Sequence, residues 1–164
     1  MEIAIRRVEH TEIGLLCELD VKIFGSDGFE SPKDWEGLEI YFIVTDQEVV
    51  KIIDQQIVGS IAFRHHSDIS ENYEAEYPHL HNSLYLVSIG ILLEKQGGGI
   101  GSMAMTWLIE YARKHEFTRI VSNARKSNLP SVKLHRKFGF ETTCTIPKYY
   151  EKPDEDAVVM ELNL

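Results

Sequence analysis

The sequence predicts one α/β domain over residues 1–164, on three observations. Short apolar runs of strand character alternate with segments whose apolar residues recur at helical spacing. One run, Leu84 to Leu93, is almost continuously apolar, as a central strand covered on both faces requires. That run breaks into Gln96-Gly97-Gly98-Gly99-Ile100-Gly101-Ser102, which opens the strongest amphipathic helix of the chain. Pattern alone leaves the order of the strands open.

Glu2 to Val8 is the first strand. Thr11 can cap a helix whose apolar positions are Ile13, Leu16, Cys17 and Ile23, with Leu19 and Phe24 nearby; Gly25 to Gly28 ends it. Ser31-Pro32-Lys33-Asp34 starts a short second helix: a hydroxyl cap, proline at the first helical position and an acid in the first turn. Tyr41–Thr45, Val49–Ile53 and Ile57–His65 are strand runs, the last two joined by a tight turn at Asp54-Gln55-Gln56. His66–Ser83 lacks periodicity, carries Asp68, Glu71, Glu74 and Glu76 without a Lys or Arg, and is expected to be a long surface loop. Gly90, inside the central run, is where a bulge is expected.

Beyond the glycines, Ile100, Met103, Ala104, Trp107, Leu108, Tyr111 and Ala112 fall on one helical face. Arg119–Arg125 is a strand, and Asn128–Phe138 a helix stopped by Gly139. Phe140–Ile146 and Ala157–Leu164 close the chain as strands. In the last, Val158, Met160, Leu162 and Leu164 alternate with Ala157, Val159, Glu161 and Asn163, so one face is expected to be core.

Composition narrows the function. The 164 residues are 43% apolar with a formal net charge of −9, enough for a core built without disulfides or metals. No run approaches ~18 apolar residues, so no membrane segment is expected. The basic pair Arg6-Arg7 follows the apolar opening residues, the wrong order for a secretory signal, and a cytoplasmic location is the expectation. Seventeen Lys and Arg against 26 Asp and Glu exclude a nucleic-acid partner, while an acidic surface suits a cationic one. Cys17 and Cys144 have no paired spacing and are expected as small buried hydrophobes in a reducing compartment. His65-His66 and His79-x-His81 have no Cys near them, so no metal is expected.

A buried strand that breaks into glycines and enters a helix makes an anion site. The backbone can approach closely, the first amides of the helix point outward, and its dipole adds roughly half a positive charge. A diphosphate is the natural guest. The cluster is no P-loop, because no Gly-Lys-Ser/Thr follows. Gly97-x-Gly99-x-x-Ser102 and Gly99-x-Gly101-x-x-Ala104 fit a dinucleotide fingerprint only loosely.

Gln96-x-x-Gly99-x-Gly101 after an apolar strand resembles the Q/R-x-x-G-x-G/A motif of the GNAT superfamily of acyl-CoA-dependent N-acetyltransferases. Asn128-Leu-Pro-Ser131-Val-Lys-Leu-His135-Arg-Lys-Phe-Gly139-Phe140 resembles its second signature, an Asn-started helix closing in Gly-Phe. The ending from Tyr149 to Met160 is similar to the tail of the ribosomal-protein-alanine and related protein N-terminal acetyltransferases. The resemblance covers most of Leu84–Leu164. It implies an α/β (α+β) GNAT fold: a mixed central sheet of about seven strands, splayed in the middle and flanked by about four helices, with acetyl-CoA as co-substrate in the splay. It implies that the backbone of Ile91 and Leu93 bonds the pantetheine arm as an added strand would, and that Gln96, Gly97, Gly99, Ile100, Gly101 and Ser102 wrap the diphosphate. It also implies that Asn128, Ser131 and His135, on one helical face, line the co-substrate.

Acetyl transfer needs a neutral amine, a stabilised oxyanion and a proton for the departing thiolate. A backbone N–H near Ile91 can serve the oxyanion. Where the resembling enzymes carry a Glu base, this chain has Asn123, and where they carry a Tyr acid it has His135. His135 can donate a proton if held as imidazolium. Tyr149 and Tyr150 are the other candidates for acid or substrate orientation. Glu30, Glu74 and Glu76 are available as bases, and Ser88 or Tyr85 could hold a water chain.

Neutralising a lysine amine (pKa ~10.4) at pH 7 costs about 4.6 kcal/mol, against about 1–1.4 kcal/mol for an α-amine (~7.7–8.0). A site without an obvious carboxylate base therefore favours a protein or peptide N-terminus. Two alternatives stand beside this reading: a small-molecule acetyltransferase for a polyamine, amino acid or amino sugar, and a non-catalytic acetyl-CoA-binding module. A monomer or a homodimer suits any of them.

Overall fold

The computed structural model describes residues 2–49, 52–65 and 82–164. Among them are β1 (Ile3–Arg7), β2 (Glu39–Val49), β3 (Ile52–Arg64), β4 (Ser83–Ile91), β5 (Arg119–Arg125), β6 (Glu141–Tyr150) and β7 (Glu155–Asn163). The α-helices are α1 (Ile13–Phe24), α2 (Ile100–Lys114) and α3 (Leu129–Lys137). The seven strands line up as β1-β2-β3-β4-β5-β7-β6, with β4 and β5 parallel and β1/β2, β5/β7 and β6/β7 antiparallel. The mixed seven-stranded sheet is as expected. The described residues hold three α-helices rather than about four, because Pro32–Trp35 closes only a 3-10 turn. The chain packs into two compact units, Met1–Ala62 with Ser88–Ala104, and Phe63–Val87 with Met105–Leu164.

In the first unit β1 pairs with β2 from Ile3↔Thr45 to Arg7↔Tyr41, and Leu16, Trp35, Phe42, Ile43, Val44, Val58 and Ile61 are buried. Thr11 is not the cap of α1. Arg6 forks onto the Glu12 carboxylate at 2.9 and 2.8 Å, and the same carboxylate accepts the Glu9 N–H at 3.0 Å. This pins a 3-10 turn, His10–Glu12, ahead of the helix. The Arg6 hydrogen bonds and the Glu9 amide hold the Glu12 carboxyl down at about 2. Ser31 does cap: its hydroxyl accepts the Lys33 N–H at 3.3 Å and Asp34 accepts the Ser31 N–H at 3.0 Å.

The three runs between Tyr41 and His65 form two strands. Asp54, Gln55 and Gln56 lie within β3, and residues 50 and 51, which fall in the expected run Val49–Ile53, lie outside the described residues. Ladder pairing overrides the turn preference of those side chains. Of the expected acidic loop, 66–81 lies outside the described residues, and Ser83 already begins β4. Gly90 answers close packing: a Cβ there would stand 2.9 Å from the Phe24 ring, and one on Gly59 would stand 2.2 Å from the Gly90 carbonyl oxygen.

In the second unit β5 pairs with β4 over Ser83–Leu86 and with β7 along its whole length, Arg119↔Asn163 to Arg125↔Ala157. The expected alternation in β7 fails, since Ala157, Val158, Val159 and Met160 are all buried. Val159 joins Tyr85 and Val121 on one face, with Cys144 and Ile146 against them. Val158 and Met160 share the other face with Ala124 and Ser122, where α3 lies. On α2 the buried residues are Ile100, Ala104, Met105, Leu108, Ile109 and Ala112. Met103 is exposed, and Trp107 and Tyr111 pack on Phe63 (4.8 Å between the Tyr111 and Phe63 centroids), so the core stripe is rotated from the expected one. Cys17 is buried and Cys144 half-buried, both as free thiols.

Candidate functional site

In the first unit, β4 ends at Ile91, where the Leu92 N–H bonds the Val58 carbonyl at 2.9 Å. A 3-10 turn over Leu93–Lys95 follows. Leu93 is therefore outside the strand and exposed, and its carbonyl accepts the Gln96 N–H at 3.2 Å; it does not extend β4 as expected. The Gln96 side chain reaches back, its Nε2 donating to the Ile91 carbonyl at 3.0 Å. Gln96 thus ties the loop to the end of the strand, and this is the structural work of the first motif residue.

Gly97 and Gly99 adopt φ of +82° and +84°, and a Cβ at either would meet nothing within 4 Å. Backbone hand, not crowding, demands glycine there. The first bond of the α2 ladder from the loop is Met103 N–H to Gly99 carbonyl at 3.0 Å, so the amides from Gly97 to Gly101 precede it. Left-handed glycines leading into a helix N-terminus turn successive amides outward into an anion-binding concavity. Ile100, buried, anchors the first turn, and Ser102 is half-buried.

In the second unit, period two along β5 sorts its side chains. Val121, Asn123 and Arg125 share the face of Tyr85; Ile120, Ser122 and Ala124 share the opposite one. The Tyr85 hydroxyl donates to Asn123 Oδ1, and Asn123 Nδ2 donates to the Tyr150 oxygen at 3.0 Å. The Arg125 guanidinium lies 4.7 Å from the Tyr150 ring centroid and donates to the carbonyls of Glu151 (2.6 Å) and Pro153 (2.8 Å). Tyr149 is exposed and meets Tyr150 edge-on at 5.0 Å. Burial, then the neighbouring Tyr149 and Tyr150, push the Tyr85 hydroxyl well above its usual range, with Arg64 opposing. The pairing irregularity between Ile146 and Tyr150, which includes Pro147 and a left-handed Lys148, shapes the strand end that carries the two tyrosines.

Glu155 holds this hairpin. It accepts the Ser127 N–H (2.6 Å) and hydroxyl (2.8 Å) and pairs with Arg125 at 3.4 Å. The Ser127 bonds and Arg125 lower its carboxyl.

His135 departs from its expected role. It is 4% exposed, Nδ1–H donates to the Ser131 carbonyl at 2.7 Å, and Nε2 accepts from the Ser122 hydroxyl at 2.9 Å. The Phe140 ring stands edge-on at 4.9 Å. Burial lowers its pKa, so the imidazolium an acid role requires is disfavoured. It lies on the Ser122 face of β5, opposite Asn123 and Tyr150, so His135 and the alternative tyrosine candidates sit on different faces of the strand. Asn128 caps α3, its Oδ1 accepting the Ser131 N–H at 3.3 Å, and is exposed.

Glu30 is exposed on the loop after Gly28, and Glu74 and Glu76 lie outside the described residues. The Ser88 hydroxyl is buried without a hydrogen-bond partner among the described residues. Arg125 was not singled out in the sequence, although its i+2 spacing from Asn123 was the available signal. Asp20 was also missed: a carboxylate four residues from both Leu16 and Phe24 in the apolar stripe of α1. Its Oδ2 accepts the Phe29 N–H at 2.8 Å, Oδ1 has no partner among the described residues, and burial raises its pKa to about 6. The described residues bring no three His, Cys, Asp or Glu together as a metal site.

Three comparisons bear on this geometry. The profile of the acetyltransferase (GNAT) family matches residues 15–140. An uncharacterised N-acetyltransferase of Schizosaccharomyces pombe is 31% identical over 71 residues, 43% of this chain and 42% of that relative; the match spans about two fifths of the relative's length. Among solved structures, a ribosomal-protein-alanine N-acetyltransferase from Brucella melitensis superposes with a TM-score of 0.68 at 20% identity, over 98% of this chain and 99% of that one. The IAA acetyltransferase from Bacillus cereus gives 0.74 at 13%, over 99% and 100%. A GNAT family acetyltransferase from Elizabethkingia anophelis, with acetyl-CoA bound, gives 0.70 at 16%, over 99% and 98%. At these identities the likeness is one of fold. The profile spans most of the chain, including the segment that carries both the glycine loop and the Asn-capped helix, and the protein belongs to the acetyltransferase (GNAT) family.

Proposed function

We propose that the chain is an acetyl-CoA-dependent N-acetyltransferase that acylates an α-amine, such as a protein or peptide N-terminus, by direct attack in a ternary complex. The observation that carries this reading is the loop after β4. Two left-handed glycines, a side-chain tie from Gln96 to Ile91 and the opening turn of α2 make a cradle for a diphosphate. Gln96, Gly97, Gly99, Ile100, Gly101 and Ser102 are assigned to it, the backbone at Ile91, where β4 ends, to the pantetheine arm, and Asn128 and Ser131 to the same ligand. Bound acetyl-CoA supplies the activated thioester.

The chain's own residues suit an amine that arrives nearly neutral. The cluster around Asn123 brings two phenols and an amide together, groups that donate and orient. Stripping a proton from a lysine there would add about 3 kcal/mol over an α-amine at neutral pH, worth more than a hundredfold in rate. Tyr150 is assigned as the donor to the departing sulfur and Tyr149, being exposed, to the acceptor.

CoA release measured across short peptides with free N-termini, lysine side-chain analogues, polyamines and amino sugars tests the reading. Turnover should be highest with α-amines of peptides. Turnover confined to polyamines or amino sugars would overturn the acceptor class, and failure to bind acetyl-CoA in calorimetry would overturn the activity itself.

A further inference from the structure

Asn123 stands where the resembling enzymes have a carboxylate base, yet an amide cannot take up a proton. Its role lies in its two ends, one of which only accepts and the other only donates. The Tyr85 hydroxyl occupies the accepting end. The donating end is thereby aimed at the Tyr150 oxygen, 3.0 Å away. We propose that Asn123 is a positioning residue that sets Tyr150 as the proton donor of acetyl transfer, with Tyr85 locking the amide and Arg125 seating the ring. The proposal rests on the N-acetyltransferase reading above.

An N–H bond into a phenol oxygen stabilises the phenolate left after the proton departs, and so eases the donation. The Arg125 charge, 4.7 Å from the ring centroid and held by the carbonyls of Glu151 and Pro153, acts in the same direction. Tyr85 is suited to the opposite duty: burial keeps it protonated, so its O–H remains a donor to Oδ1 across the working pH range. The protons balance. As the C–N bond forms and the C–S bond breaks with its pair on sulfur, the amine gives one proton to water, Tyr150 gives one to sulfur, and solvent restores the phenol.

A mutant cycle on the full chain tests this, with kcat, KM and the kcat–pH profile measured for each variant and folding checked by melting temperature. Asn123→Ala should lower kcat tenfold or more, about the lower range of a lost acid–base contribution, but less than twofold in a Tyr150→Phe background. Asn123→Asp keeps the size but turns the donor into an acceptor, so Tyr150 must bond it with its own proton. This variant should also lose kcat at least about tenfold and shift the basic limb upward, with KM for acetyl-CoA within about twofold. Additive losses in the cycle, or a gain in kcat with Asn123→Asp, would overturn the positioning role. Those outcomes leave the activity standing, whereas a wild-type protein that acetylates no amine removes the activity and this inference together.

Discussion

Two buried titratable side chains that take no part in the proposed chemistry give opposite pH dependences to stability. Burial raises the Asp20 pKa to about 6 from an ordinary 3.8, so between those values the folded state holds a proton the unfolded chain has lost. Its contribution to stability therefore falls as pH rises through that window, by at most about 3 kcal/mol. His135 is lowered from 6.5, so below that value the unfolded chain binds the extra proton and stability is lost as pH falls. Denaturant unfolding from pH 4 to 7.5 separates the two. The stability of Asp20→Asn relative to wild type should improve as pH rises from 4 to 6 and then level off. His135→Phe, which strands the Ser122 hydroxyl, should cost about 1–3 kcal/mol at pH 7.5, and this deficit should shrink below pH 6.5. A deficit independent of pH would mean that His135 is not held neutral. Neither role was legible beforehand. A histidine three residues after Val132 on a helix gives no sign of facing a strand serine, and helical spacing puts Asn128, Ser131 and His135 near one another without revealing that the last points inward.

At the scale of elements, local chemistry was readable where it acts locally. The Ser31 cap, the Asn128 cap, the Gly139 stop at φ +90° and the glycine entry to α2 all stand where the residues suggest. What failed depended on partners far along the chain. Asp54-Gln55-Gln56 looks like a turn until a neighbouring strand holds it extended, and β7 looks half-buried until both of its faces are covered. Strand order has the same origin, because pairing is a long-range property. The glycine loop allows a clean test of backbone hand against space. Gly97→Ala and Gly99→Ala each put a side chain at positive φ, at about 1–2 kcal/mol, although a methyl would touch nothing. Gly98 is not left-handed, and a Cβ there meets only the Lys95 carbonyl at 3.9 Å. Calorimetry with acetyl-CoA should show affinity falling about tenfold or more for Ala at 97 or 99. Ala at 98 should leave it within about twofold. Equal effects at all three sites would point to bulk rather than backbone conformation.

Across the whole molecule, superpositions at 13% and 20% identity show how little sequence this fold requires: an apolar pattern, a few caps and glycines where the backbone needs them. The formal net charge is −9 over the full sequence. A field of that sign draws a cationic acceptor and repels a polyanionic thioester, so the two substrates should respond to salt in opposite senses. At about 0.15 M ionic strength the screening length is already about 8 Å, and only near charges survive further salt. Raising NaCl from about 0.02 to about 0.5 M, which shortens the screening length from ~20 to ~4 Å, should therefore lower kcat/KM for a peptide N-terminus severalfold. Over the same range kcat/KM for acetyl-CoA should hold or rise, since backbone amides rather than a lysine cluster are assigned to its diphosphate. The same titration with a zwitterionic amino acid as acceptor should be nearly flat. A parallel fall for both substrates would instead mean that fixed cationic side chains bind the thioester, and the glycine loop would lose its place as the principal anion site.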